Sequence, residues 1–128
     1  MKDRFHFITV GIFLIAALFG FTQIKDATEY QSRVLRHVVF LDLNAQATDS
    51  IVKKMNQDLD ELNENIPQIR ELEFGTNIQE EADYSHCMFL TFESLEDLKS
   101  YEEHPMHLEF ASTYGKYVVK KTELDYWY

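Results

Sequence analysis

An α+β fold, with a four-stranded antiparallel sheet covered by helices on one face, is what this sequence predicts. Three observations lead there. Four short segments alternate or concentrate apolar residues as strands do, and the stretches between the first and second and between the third and fourth repeat apolar residues at helical spacing. A length of 128 residues, 45% of them hydrophobic, supplies one core and leaves no room for a second independent fold.

The first strand is "LRHVVFLDL", residues 35–43, β-branched and apolar, with His37, Val39, Leu41 and Leu43 on one face. A loop to Asp49 ends in capping chemistry, where Thr48, Asp49 or Ser50 can start a helix at Ile51. Ile51, Met55, Leu59 and Leu62 form its apolar stripe, Lys53, Lys54, Asp58 and Glu61 its solvated face, and it closes before Pro67. A second strand is expected at "IRELEFG", residues 69–75, although Ile69 and Arg70 break the alternation that Glu71 to Phe74 keep. The third, "YSHCMFLTF", residues 84–92, has Tyr84, His86, Met88, Leu90 and Phe92 facing one way and Ser85, Cys87, Phe89 and Thr91 the other. Neither face is polar throughout, so both should be covered.

Ser94, with Asp97 three residues on, caps a helix whose inner stripe is Leu95, Leu98 and Tyr101. Pro105 cannot continue that helix but suits the first turn of another, which carries Met106, Leu108, Phe110 and Ala111 and ends near Gly115. Tyr117 to Val119 and then "TELDYWY" supply the last strand. Strand, helix, strand, strand, helix, strand is the split βαβ, or ferredoxin-like, order, written βαββαβ. Its second sheet face, with Phe40, Phe89 and an aromatic residue of "YWY", is left bare, and a bare apolar face implies a second copy of the chain.

Phe5 to Phe21, "FHFITVGIFLIAALFGF", is apolar on every helical face and follows Lys2 and Arg4. It reads as a signal peptide or membrane anchor over residues 1–24, followed by a linker over 25–34 and a folded domain over 35–128. As a helix it would extend about 26 Å, near the lower limit for a hydrocarbon core. An extracytoplasmic domain is therefore expected, either membrane-anchored through residues 5–21 if the segment is uncleaved, or secreted or periplasmic. A net charge of −10 without any basic run excludes nucleic acid as a partner class. The single cysteine, Cys87, allows neither an intrachain disulfide nor a thiolate zinc site.

"HVVFLDL", "IPQIRELEFGTN", "YSHCMFLTFESLEDLKSYEEHPMHLEF" and "LDYWY" together resemble the stress-responsive α/β-barrel (Dabb) family over residues 35–128. The third segment is the most specific, because a histidine-bearing strand, "FES", a helix and "HPMH" come in the family's order and spacing. The resemblance implies a homodimer whose sheets pack as a dimeric α+β barrel. It also implies no single activity: a plant member is a polyketide cyclase that closes a ring by aldol condensation, while many bacterial members have no assigned reaction. By motif, the cyclase's catalytic histidine and tyrosine fall on His107 and Tyr101, and other pocket residues on His37, His86 and Asp125. Met88 and Leu59 stand where pocket shape is set.

Pro105 places His107 in the first turn of a helix, where free backbone N–H groups and the helix dipole disfavour a cation. The neutral imidazole is the expected form, a usable general base, and Tyr101 can donate a hydrogen bond to a carbonyl or enolate oxygen. The same histidine can equally be a structural hinge, Tyr101 core packing, and His37 and His86 buried hydrogen-bonded side chains. His104 and His107 are weak metal-ligand candidates with a proline between them, and no cofactor is singled out. Three readings follow: a module binding a small apolar or aromatic carbonyl compound in a helix-sheet pocket; a small acid-base enzyme, cyclase-like or isomerase, using His107 and Tyr101; or an assembly module using only the dimer face. An enzyme needs both side chains on an open cavity, a binder needs the cavity alone, and an assembly module has it filled.

Overall fold

The computed structural model describes residues 33–128, of which Val34–Tyr128 form one compact unit. Its elements are β1 (Leu35–Leu43), α1 (Asp49–Asn65), β2 (Glu71–Thr76), β3 (His86–Phe92), α2 (Leu95–Glu102), α3 (Pro105–Tyr114), a short 3-10 turn (Gly115–Tyr117) and β4 (Val118–Trp127). The strands pair antiparallel in the order β2-β3-β1-β4, the ferredoxin-like arrangement.

The two-residue period of the strands sorts the sheet into two faces. Leu35, Val39 and Leu41 of β1 and Met88, Leu90 and Phe92 of β3 are buried against Met55, Leu59 and Leu62 of α1 and against Leu98 and Tyr101 of α2. The inner stripe of α2 is narrower than its sequence suggests, because Leu95, at the first helical position, is 60% exposed. On α3 only Tyr114 is fully buried, and Leu108 faces solvent. The helix therefore rests lightly on the sheet, which leaves space beneath it.

The imperfect alternation of residues 69–75 resolves into a later start for β2. Ile69 belongs to the turn after α1, buried in the core, and Arg70 N–H reaches Thr91 O as pairing begins. β3 likewise starts at His86, with Ser85 turned to accept the Leu43 N–H at 3.0 Å.

The sheet is open and not closed into a barrel, which corrects the expectation of a barrel. β2 and β4 are its two edges and do not pair with each other; four strands at the usual twist are too few to close on themselves. The membrane expectation is corrected as well. Residues 1–24 and most of 25–34 lie outside the described residues, and among the described residues no helix is long and apolar enough to cross a membrane. The longest helix among them, α1, carries Lys53, Lys54 and Glu61 at exposed positions, while Asp58 is half-buried and accepts from the Tyr114 hydroxyl. Nothing among the described residues supports an anchored, secreted or periplasmic address or a membrane partner.

Candidate functional site

The helix break at Pro105 builds the site. Had α2 continued, the Glu102 carbonyl would have bonded the Met106 N–H four residues on. Instead His104 caps α3, its Nδ1 accepting from the Met106 N–H at 3.2 Å, and Pro105 stands in the first turn without an N–H to satisfy. The Glu102 carbonyl is left for His107, whose Nδ1–H donates to it at 2.9 Å. A carbonyl only accepts, so the proton of the neutral ring lies on Nδ1 and the lone pair on Nε2.

Tyr101, the last buried residue of α2, packs against that imidazole with ring centroids 4.4 Å apart, and against Phe92 at 5.3 Å. On its other side stands His37 of β1, 6.5 Å away and edge-on. The register of β1 with β4 sets Asp125 opposite His37, and the His37 Nδ1–H donates to Asp125 Oδ1 at 2.6 Å. Burial, with smaller contributions from Glu102 and Glu123, pushes the Tyr101 phenol well above its ordinary pKa. Tyr101 is therefore a hydrogen-bond donor at any ordinary pH.

These three rings line one cavity of about 320 Å³ between α3 and the β1–β4 side of the sheet. Val39, Leu41, Met55, Met88, Phe110 and Val118 make most of its wall apolar. It exists because β4 is an edge strand whose inner face no helix covers, and because α3 is held off the sheet.

The sequence-derived set divides here. His107, Tyr101, His37 and Met88 come together on the cavity, and Asp125 touches it through His37. Leu59 lies wholly within the core. His86 faces a separate shallow depression by the start of α1, stacked on Phe74 at 5.4 Å with its Nδ1 on Ser85 Oγ at 2.8 Å, and burial lowers its pKa. His104 and His107 have their Nδ1 atoms engaged on different backbone groups, and among the described residues no group of three or more His, Cys, Asp or Glu side chains is placed to hold a metal ion. Sequence reasoning missed Lys121 and Glu123, which also line the cavity. Strand alternation could have found them, since they share the inner face with Asp125.

The chain is similar to olivetolic acid cyclase of Cannabis sativa, 25% identical over 95 residues that cover 72% of this chain and 94% of that protein. In structure it is similar to the hydroxynitrile lyase of Passiflora edulis, with a TM-score of 0.68, 26% identity, and coverage of 74% of this chain and 93% of that one. A dimeric ferredoxin-like protein of unknown function from Thermobifida fusca shares the fold, with a TM-score of 0.66, 18% identity, and coverage of 75% and 92%. Residues 35–128, which hold the whole of this site, match the stress responsive A/B barrel domain, and the chain belongs to that family.

Proposed function

We propose that this chain is a small acid-base enzyme that moves a proton next to the carbonyl group of an apolar or aromatic compound. The observation that carries this reading is that His107 and Tyr101 face the same largely apolar cavity, in ring contact, with His107 Nδ1 tied to a carbonyl and Nε2 left basic. His107 Nε2 takes a proton from the carbon beside the carbonyl. The electron pair of that C–H bond moves into the carbon framework and the carbonyl oxygen becomes an enolate. Tyr101 donates its hydroxyl hydrogen bond to that oxygen, and low surrounding polarity strengthens the bond. The imidazolium then returns the proton to the product. His37, whose Nδ1–H is given to Asp125, presents Nε2 as an acceptor that can hold a hydroxyl group of the substrate.

Simple binding needs only the cavity. Catalysis is favoured because Tyr101 Oη makes no hydrogen bond among the described residues while lying at a cavity wall, where a substrate oxygen can use it. A cyclase and a hydroxynitrile lyase among the relatives support enzymatic use of the scaffold. They catalyse different reactions, so the substrate is not carried over from either.

The test is proton exchange at the methyl group of acetophenone in heavy water, followed by NMR. Wild-type protein should accelerate it, and Tyr101→Phe should slow the catalysed rate by about 10²–10³-fold, the usual effect of removing one oxyanion donor. An uncatalysed rate in the presence of the wild type sinks the reading.

The same proposal includes a second copy of the chain on the outer sheet face. Its support is the apolar surface of Phe40, Phe89, Leu124 and Tyr126 on that side, and the dimeric state of the Thermobifida relative. Wild-type protein should sediment as a dimer and Leu124→Glu as a monomer; a monomeric wild type at micromolar concentration would end this part.

A further inference from the structure

Along β4 the wall of the cavity is charged. Among the described residues Lys121 is the only lysine or arginine lining it, and Glu123 stands beside it. The register sets Lys121 opposite Leu41, Glu123 opposite Val39 and Asp125 opposite His37, so the three share the inner face in a row that leads to the imidazoles. Lys121 Nζ donates to Glu123 Oε1 at 2.7 Å, and the side chains are 55% and 44% exposed. The pair therefore sits at the mouth of the cavity, where water screens it and a competing ligand opens it at little cost.

An ammonium group carries three donors, and Glu123 takes one. The other two have no acceptor among the described residues. Glu123 lies two strand positions from Asp125, about 7 Å at the usual rise. The ammonium, drawn back to Glu123, is held at about that separation from the level of the His37–Asp125 pair. Val39, level with Glu123, is among the apolar side chains of the same wall, with Met88 and Phe110.

From this arrangement we propose that Lys121 recognises a carboxylate on the substrate, which makes the substrate an apolar or aromatic ketone with an acid group a few bonds from the reacting carbonyl. The proposal rests on the acid-base reading above and adds the substrate class to it. A monoanion is favoured over a phosphate because one lysine supplies one charge, Glu123 stands next to it, and the chain carries a net charge of −10. When the acid enters, Glu123 gives up the ammonium and turns to water.

The experiment measures, by calorimetry on the full chain, the binding of γ-benzoylbutyrate and of its neutral, nearly isosteric primary amide. The acid should bind about tenfold more tightly than the amide, the scale of one charge-assisted hydrogen bond. Lys121→Met should erase that preference, while Glu123→Gln should widen it. Added salt should narrow it in the wild type. If the amide binds, weakens in Tyr101→Phe, and the acid gains nothing in either wild type or Glu123→Gln, Lys121 has no such role and the acid-base reading stands. If Lys121→Met weakens both ligands equally, the lysine only shapes the wall and the proposal is overturned. If neither ligand binds, both readings fall.

Discussion

His107→Ala should lower catalysed proton exchange by about 10²–10⁴-fold, the usual contribution of a positioned general base. The expectation comes from the direction of one hydrogen bond. Because Glu102 O can only accept, Nδ1 keeps its proton and Nε2 alone can take another. Alanine removes that nitrogen without disturbing much else, since His107 is only half-buried and His104, not His107, caps α3. Loss of the bond to Glu102 should cost about 1 kcal/mol of stability, a small effect beside the loss of rate. His107→Asn separates the two effects: its amide can still donate a hydrogen bond but cannot act as a base, so exchange should stay as low as in the alanine variant. Exchange within threefold of wild type in either variant, by NMR in heavy water, would remove His107 from the mechanism.

Phe92→Ala should destabilise the domain by about 3–5 kcal/mol, the range for deleting a buried aromatic side chain. Phe92 closes β3 with no exposed surface, pairs with Leu35 of β1 and packs its ring on Tyr101. The cavity left behind would be bounded by two strands fixed by their hydrogen bonds, so neighbours can collapse into it only partly. With a total stability of about 5–15 kcal/mol typical of a domain, such a loss is a large share of the whole. It should appear as a lower urea midpoint at unchanged slope. A loss below about 1 kcal/mol would mean that this end of the core is far looser than the packing implies. The same substitution frees one face of Tyr101, so catalysis should fall more than the folded fraction does.

The order of elements was legible in the sequence because each strand and helix carries its own period: Met55, Leu59 and Leu62 on α1, and His86, Met88, Leu90 and Phe92 on β3. The start of β2 was not, since Ile69 is buried by a turn and not by a strand, and periodicity cannot tell the two apart. The junction at Pro105 was readable from the proline, yet the partner that fixes the His107 tautomer is a backbone carbonyl, which no residue type announces. His86 and Leu59 were placed on the correct face of their elements. That face is wider than the cavity, which lies toward β4, whereas Leu59 is in the middle of the core and His86 at the far end of β3. The openness of the sheet follows from which strands end as edges, a property of pairing order.

β4 has a further consequence for how the chain can vary. Lys121, Glu123 and Asp125 line its inner side, and Thr122, Leu124 and Tyr126 its outer side, on alternate residues of one strand. A single inserted or deleted residue there would exchange the two sets, turning apolar side chains toward the cavity mouth and charges toward the bare face. Heritable change in β4 is therefore confined to substitution, one face at a time, while gains and losses of length fall to the polar segment between β2 and β3.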